Sequence, residues 1–165
     1  MRAVQERRAV SSLRAATPSA LGIAGAVIVV DHLTKWWALR TLADRDIDLF
    51  WKLRFHLVRN GGGAFGLGTR FAPLFALAAL GIVLFLFRSG GAFGSRLSQV
   101  AVGLVLGGAV GNLLDRLFRE GHGFLGGRVV DFIDSQVWPV WNVADMAVSI
   151  GAVLLALTAE LRARE

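Results

Sequence analysis

The chain of 165 residues contains no cysteine, and this excludes several kinds of chemistry. Without a thiol there is no disulfide, no thiolate metal site, no cysteine nucleophile and no cysteine to carry a lipid. The three histidines, His32, His56 and His122, do not show the HExxH spacing of a zinc enzyme. A Gly-x-Ser-x-Gly sequence, typical of serine hydrolases, is also absent. We therefore expect no metal and no cofactor, and carboxylates are the remaining candidates for hydrolytic chemistry.

Charged residues are scarce in four long apolar stretches. Hydrophobic residues make up 55% of the chain and the mean hydropathy is +0.57, which is typical of a membrane protein. Residues 71–87 and 97–114 contain no charge, and their lengths approach the ~17–25 residues that cross a bilayer. The sequence predicts an all-α membrane protein with four transmembrane helices in a single integral membrane domain, residues 1–165, with spans at about 20–39, 71–87, 97–114 and 140–161.

The first apolar stretch has an alternative interpretation as a cleaved signal peptide, because four arginines precede it. The stretch is long enough to span the membrane, so we favour a span. The charges do not determine orientation, since both sides would hold nearly equal numbers of Lys and Arg. The net charge of +6 is assigned to arginines that flank spans and meet lipid head groups, and no nucleic-acid partner is expected.

With four spans, the segments 40–70 and 115–139 lie on the same side of the membrane. Residues 53–59 alternate between apolar and polar side chains, and residues 129–133 are rich in β-branched side chains. Both patterns favour strands. The sequence thus predicts a small β-rich cradle outside the membrane, beside the helix ends.

Small and polar residues form stripes on the third and fourth predicted helices. Gly103, Gly107 and Gly111 recur every four residues, which lets another helix approach closely. A neighbouring stripe becomes polar at Asn112, and Asn142 and Asp145 share one face of the fourth helix. Two polar stripes facing each other at one membrane surface would form a cleft.

Three aspartates, Asp115, Asp131 and Asp145, adjoin apolar stretches, where ionisable groups are costly and are functional candidates. Two nearby carboxylates cannot both ionise easily, so one keeps a proton while the other activates water. Spacing alone favours Asp115 with Asp145 as the pair.

Structural roles for these aspartates remain open. Asp115 could pair with Arg116 or cap the backbone, Asp145 could stabilise a helix start, and Asp131 could be a solvated loop residue. Asp31 and Lys35, at i and i+4, could simply neutralise each other.

Five segments resemble, in order, the motifs of the bacterial lipoprotein signal peptidase (signal peptidase II) family. They are D-x-x-T-K at residues 31–35, N-x-G-x-A-F at 60–65, G-N-x-x-D-R at 111–116, V-V-D-F at 129–132 and N-x-A-D at 142–145. The resemblance implies an intramembrane aspartyl endopeptidase of the bacterial cytoplasmic (inner) membrane. Its substrates would be diacylglyceryl-modified prolipoproteins, cut just before the lipidated cysteine.

The same resemblance assigns roles to residues. The catalytic pair corresponds to Asp131 and Asp145, and Asp115 becomes a supporting carboxylate. The substrate-binding or supporting positions are Asp31, Lys35, Asn60, Gly62, Asn112, Asp115, Arg116 and Asn142. The resemblance also implies cytoplasmic termini and extracytoplasmic segments 40–70 and 115–139 that carry the active site. We further expect membrane lipids as partners, and a monomer.

Two features depart from the family pattern. Trp141 replaces the usual Phe before N-x-A-D, and the connection from Asp131 to Asp145 is short. We expect altered packing and a changed covering of the cleft, with both catalytic groups retained. The competing interpretations are a small ion or proton transporter and a non-catalytic protein that binds lipoprotein precursors. Against the first, the second and third apolar stretches lack charge; against the second, both Asp131 and Asp145 are present.

Overall fold

The computed structural model describes residues 16–62, 72–89, 94–121 and 123–163. Within these ranges the chain is mostly helical, with one small sheet. The elements, in chain order, are α1 (Pro18–Thr41), β1 (Ile47–Phe50), β2 (Leu53–Asn60), α2 (Ala72–Ser89), α3 (Arg96–Phe118), β3 (Val129–Asp134) and α4 (Val143–Ala163).

Helix starts follow from local capping. Thr17 precedes Pro18, and its hydroxyl accepts a hydrogen bond from the Ala20 backbone amide at the start of α1. Ser95 does the same for the Ser98 amide at the start of α3. The C-terminal parts of α1 and α3 contact the sheet through Trp37 and Asp115, so the capped starts lie at the other end of the bundle.

A helix occupies each of the four predicted spans, but two boundaries differ from the prediction. Helix α3 continues to Phe118, so Asp115 and Arg116 lie in its last turns and not in the segment after it. Helix α4 begins at Val143, which places Asp145 in the first turn instead of a full turn inside the helix. Among the described residues, Arg96–Phe118 and Val143–Leu161 have the length and apolar composition needed to cross a membrane. Membrane crossing by all four helices stays a prediction.

Helix α3 lies at the centre of the bundle because its glycines admit two neighbours. A Cβ at Gly103 would lie 2.7 Å from the Ala20 carbonyl oxygen of α1. On another face, a Cβ at Gly108 would collide with the Ala144 carbonyl oxygen of α4. In the same interface, a Cβ at Gly151 of α4 would lie 2.8 Å from the Ala101 carbonyl oxygen of α3. The predicted close packing is confirmed, and the glycines serve two helix interfaces.

The three strands form an antiparallel sheet in the order β1-β2-β3. Strands β2 and β3 confirm the predicted strand segments, whereas β1 was not predicted. Val58 pairs with Asp131, and Arg59 pairs with Val130. Phe132 is buried beneath the sheet, where it and Phe55 pack against Trp37 of α1. These contacts attach the sheet to the C-terminal end of α1.

Candidate active site

The carboxylate of Asp131 is held on both oxygens by side-chain amides. Its Oδ2 accepts a hydrogen bond of 2.9 Å from Asn60 Nδ2, on β2, and its Oδ1 accepts one of 2.6 Å from Asn142 Nδ2. Asp131 is only 2% exposed. It is therefore not the solvated loop carboxylate that was one interpretation of the sequence.

Burial changes the acidity of Asp131, which lies on β3, outside the helices. The pKa of Asp131 is raised to about 7, chiefly because burial disfavours the charged carboxylate. The amide of Asn60 opposes this rise, and the negative charge of Asp145 adds to it. A carboxyl group that can hold a proton near neutral pH is suited to acid catalysis.

Asp145 is held in the first turn of α4 by Asn142, the residue just before the helix. The backbone amide of Asn142 donates to Asp145 Oδ2 at 3.1 Å, and the Asp145 amide donates back to Asn142 Oδ1 at 2.9 Å. This reciprocal arrangement is a capping box built from Asn and Asp. Asp145 therefore does stabilise the start of α4, as one interpretation of the sequence held. Its side chain also faces the neighbouring polar groups.

Asn112 of α3 completes the support of Asp145. Its Nδ2 donates to Asp145 Oδ1 at 2.7 Å, while its Oδ1 accepts from Asn142 Nδ2 at 3.1 Å and from Lys35 Nζ at 3.0 Å. Two donors on the amide oxygen fix the orientation of the Asn112 side chain. The amide nitrogen is consequently directed toward Asp145.

Lys35 is a fully buried cation that joins α1 to α3. Its Nζ lies 2.8 Å from Asp31 Oδ2 and 3.0 Å from Asp115 Oδ2, and it also donates to Asn112. Asp31 in turn accepts a hydrogen bond of 3.0 Å from the Ala144 amide of α4 through Oδ1. The predicted pairing of Asp31 with Lys35 is confirmed, but it belongs to a larger network that ties three helices together.

Asp115 does not pair with its neighbour Arg116. Its Oδ2 accepts from the Val130 amide at 3.2 Å, in addition to the contact with Lys35, and its Oδ1 accepts from Arg119 Nε. Arg119 was missed in the sequence, although its i, i+4 spacing from Asp115 is a usable signal. Asp115 thus fastens β3 to the end of α3.

Arg116 is directed toward the sheet. Its Nη1 donates to the carbonyl oxygens of Asn60, at 3.2 Å, and Gly127, at 2.9 Å. The Gly62 amide donates to Asn60 Oδ1 at 2.9 Å, and Gly62 has a φ of 101°, which glycine adopts without strain. Together these bonds fix the end of β2 over α3.

A cavity of about 200 Å³ opens between these elements. Both Asp131 and Asp145 line it, whereas Asp115 does not; the lining residues are Asn60, Gly62, Asn112, Arg116, Val129, Asp131 and Asp145. The pairing of Asp115 with Asp145, favoured by spacing, therefore receives no support from the cavity. Asp31, Lys35, Asp115 and Asn142 lie behind its wall. In the described part of the chain, no group of His, Asp and Glu side chains is arranged to hold a metal ion.

The short connection from Asp131 to Asp145 returns directly beside β3. The carbonyl oxygen of Trp141 accepts hydrogen bonds of 2.9 Å from the amides of Phe132 and Ile133. This backbone pairing brings Asn142 next to Asp131. Residues 63–65 of the second motif and His122 lie outside the described residues.

The fold closely matches solved structures of bacterial membrane enzymes. One, described as a bacterial membrane enzyme, aligns with a TM-score of 0.69 and 26% identity over 92% of each chain. A second structure of the same description aligns with a TM-score of 0.68 and 26% identity, over 90% of this chain and 96% of the other. The architecture is therefore that of a membrane enzyme.

Sequence comparison identifies the family. The family described as Signal peptidase (SPase) II matches residues 23–161. A lipoprotein signal peptidase of Rhodococcus jostii is 42% identical over 137 residues, which cover 82% of this chain and 69% of the relative. One of Mycobacterium leprae is 39% identical over 139 residues, 83% of this chain and 69% of the relative. The chain belongs to the signal peptidase II family, a family of aspartic proteases.

Proposed function

We propose that Asp131 and Asp145 are the catalytic pair with which this member of the signal peptidase II family removes signal peptides from prolipoproteins. The observation that carries the assignment is that both carboxylates line one cavity and share Asn142 as a hydrogen-bond partner. The substrate is a diacylglyceryl-modified precursor, and the bond cut is the one before its lipidated cysteine. No metal and no cofactor take part.

Asp131 is the member of the pair that carries the proton. Its pKa, raised to about 7 by burial, lets it hold a proton near neutral pH. Asp145 lies at the N-terminus of α4, where the helix dipole favours a negative charge, so it is the base. Asp145 takes a proton from water, and the water oxygen attacks the scissile carbonyl carbon while Asp131 donates its proton toward the carbonyl oxygen. The tetrahedral intermediate then collapses: the carbon–nitrogen bond breaks, the leaving amine takes the proton that Asp145 received, and one hydroxyl of the intermediate returns a proton to Asp131 as the carbonyl re-forms.

Polar groups in the same cavity bind the substrate backbone. Arg116 and the amide of Asn60 line the cavity and can donate to substrate carbonyl oxygens or to the developing oxyanion. Donors held in advance, in a site with little water, stabilise such a charge strongly. Asn112, Asn142 and Gly62 position these groups, and Asp31, Lys35 and Asp115 support them from behind.

The proposed setting is a single membrane domain, residues 1–165, with four spans and extracytoplasmic segments 40–70 and 115–139. Large apolar side chains are exposed on α1 and α2 as well as on α4. Examples are Val29 and Leu33 on α1, Leu77 and Phe85 on α2, and Ile150 on α4. Such faces are expected where lipid covers a helix. The chain acts as a monomer in the inner membrane, and the substrate enters sideways from the bilayer.

The central experiment is cleavage of a synthetic diacylglyceryl precursor peptide by purified protein in detergent with a chelator present. Wild-type protein should cleave, and Asp131→Asn and Asp145→Asn should each lose activity by at least about 10²-fold while remaining folded, because acid–base catalysis contributes ~10²–10⁴-fold. Asp48→Asn, an exposed carboxylate on β1, is the control and should cleave normally. Substantial turnover by either active-site variant contradicts the assignment.

Asp115→Asn distinguishes the alternative pair. Because Asp115 lies behind the cavity wall and contacts Lys35, this variant should lose thermal stability more than activity when assayed at low temperature. A stable but inactive Asp115→Asn protein, together with an active Asp131→Asn protein, would instead identify Asp115 and Asp145 as the catalytic pair.

A further inference from the structure

A second and larger cavity lies beside the sheet, separate from the active site. Its volume is about 550 Å³, and its lining includes three arginines, one carboxylate and two large apolar side chains: Arg59, Arg119, Arg128, Glu120, Leu39 and Phe118. None of these residues lines the cavity that holds Asp131 and Asp145. We call it the arginine cavity.

Strands β2 and β3 separate the two cavities. Neighbouring residues on a strand point to opposite faces of the sheet. Asp131 faces the active site, whereas Val130 lines the arginine cavity. Arg59 is opposite Val130 in the strand register and lines the same cavity, and the next residue, Asn60, donates to Asp131. The arginine cavity is therefore on the reverse face of the strand pair that carries the active site.

The charge of the arginine cavity is positive. Arg59 and Arg128 are exposed, and among the described residues neither side chain has an ion-pair or hydrogen-bond partner. Arg119 is held by Asp115 through Nε, and Glu120 supplies one negative charge to the lining. Guanidinium groups bind phosphate oxygens through paired N–H donors. Several arginines around one space are thus suited to a phosphate group.

The position of the cavity along the helices indicates where that phosphate comes from. Leu39 is in the last turn of α1, and Phe118 is the final residue of α3 with 80% of its surface exposed. The cavity is therefore located where the apolar helices end and the polar sheet begins. In a bilayer the phosphates of lipid head groups lie at this level, and their acyl chains extend along the apolar side chains below.

We propose that the arginine cavity binds the phosphate group of an anionic phospholipid, with Arg59 and Arg128 as the principal donors and Leu39 and Phe118 against the lipid chains. Arg119 connects this site to the active site, because it also holds Asp115, which contacts both Lys35 and the Val130 amide. Lipid binding then restrains the end of α3 and β3. Bound lipid should accordingly raise the temperature at which the protein unfolds.

The test uses purified, lipid-depleted protein in an uncharged detergent. Dioleoylphosphatidylglycerol, dioleoylphosphatidylcholine or inorganic phosphate is added, and the midpoint of thermal unfolding is followed. Dioleoylphosphatidylglycerol should raise the midpoint in a saturable way, and the other two should not. Arg59→Gln combined with Arg128→Gln should weaken the apparent affinity for dioleoylphosphatidylglycerol by about 25-fold, or about fivefold for each arginine.

Arg45→Gln is the matched control, because Arg45 is an exposed arginine near the same end of α1 that does not line the arginine cavity. It should respond to dioleoylphosphatidylglycerol as wild type does. The proposal is overturned if the double variant retains the wild-type response, if Arg45→Gln weakens it equally, or if inorganic phosphate alone produces the same shift. The unfolding assay requires no cleavage, so its result is independent of the proposed catalytic pair. Arg128→Gln alone, with its expected fivefold loss, serves if the double variant does not fold.

Discussion

Lys35 on α1 and Asp115 on α3 form an ion pair with both side chains buried, and 3.0 Å separates Lys35 Nζ from Asp115 Oδ2. The same ammonium group lies 2.8 Å from Asp31. One cation thus contacts two buried carboxylates: it is the main counter-charge of Asp31, whereas Asp115 also pairs with Arg119. Such an arrangement is costly to break from one side, because the remaining charges stay desolvated.

Lys35→Met is therefore expected to lower the free energy of unfolding by about 3–5 kcal/mol, since Asp31 and Asp115 lose their shared partner. Lys52→Met, at an exposed position between β1 and β2, should change it by less than about 0.5 kcal/mol. Unfolding of both variants in detergent, followed by tryptophan fluorescence, measures the difference. Equal stability of the two variants would show that the buried network contributes little.

Asn142→Ala should reduce the rate of precursor cleavage strongly, and more than the accompanying loss of folding stability would explain. The substitution removes the cap of α4, at a cost of about 1 kcal/mol, and releases both Asp131 and Asp145 from their common partner. Misplacement of a catalytic group by 1 Å costs roughly 10²-fold in rate, so we expect a loss of at least that size.

The matched control for Asn142→Ala is Ser95→Ala, which removes the cap of α3 at the opposite end of the bundle. Asn142→Ala should lose more stability than Ser95→Ala, because its buried side chain also donates to Asp131 and Asn112. Ser95→Ala should retain activity. If the two variants have equal turnover, Asn142 acts only as a helix cap.

The pH dependence follows from Asp131. Since its proposed role requires a proton and its pKa is about 7, cleavage should decline above neutral pH with a midpoint near 7. The raised pKa of Asp131 also predicts how the free energy of unfolding changes with pH. Between the unfolded value of about 4 and the folded value, the folded chain binds more protons, so the free energy of unfolding falls as pH rises through this range.

Asn60→Ala provides the test of this pH assignment. Its amide stabilises the charged form of Asp131, so its removal should move the alkaline midpoint to higher pH. His56→Ala, on the same strand but bonded to Asp46, should leave the midpoint where it is. Rates of precursor cleavage between pH 5 and pH 9 would decide between a carboxyl group and a histidine as the titrating residue.

Single cysteines test the proposed topology, and the lack of native cysteine makes the background low. Cysteine is introduced at Arg45, His122, Ser11 or Ser89, and a membrane-impermeant thiol reagent is applied to intact cells whose outer barrier has been removed. Positions 45 and 122 should be labelled, and positions 11 and 89 should react only after the membrane is opened. Labelling at 11 or 89 in sealed cells contradicts an outward-facing active site.

Local patterns predicted much of this fold, and long-range contacts account for what they missed. The alternation in β2 and the β-branched residues of β3 identified two strands, whereas β1, with only four residues, has too short a pattern. The contact of Asp31 with Lys35 follows from helical spacing. The contact of Lys35 with Asn112 spans 77 positions, and that of Asn60 with Asp131 spans 71, so no local pattern indicates either.

The catalytic assignment shows the same division. Spacing favoured Asp115 as the partner of Asp145 because both lie near helix ends, and family resemblance favoured Asp131. In the structure the Val130 amide and Arg119 occupy the oxygens of Asp115, while Asp131, on the sheet, lines the cavity, and these contacts support the proposed pair of Asp131 and Asp145. The pairing of strands, which local sequence does not specify, determines which carboxylates meet.

The glycine contact between α3 and α4 also has a mechanical consequence. Gly108 meets the backbone of Ala144 only one helical turn from Asn112 and one residue from Asp145, so backbone, and not a deformable side chain, sets the helix separation there. When α3 and α4 tilt against each other, they rotate about this contact, which lies next to the proposed catalytic site. A bilayer of different thickness would change the tilt of the distant helix ends and leave the spacing of Asn112 and Asp145 nearly constant. Membrane thickness should accordingly affect how readily a precursor is admitted, while the rate of bond cleavage after admission stays the same.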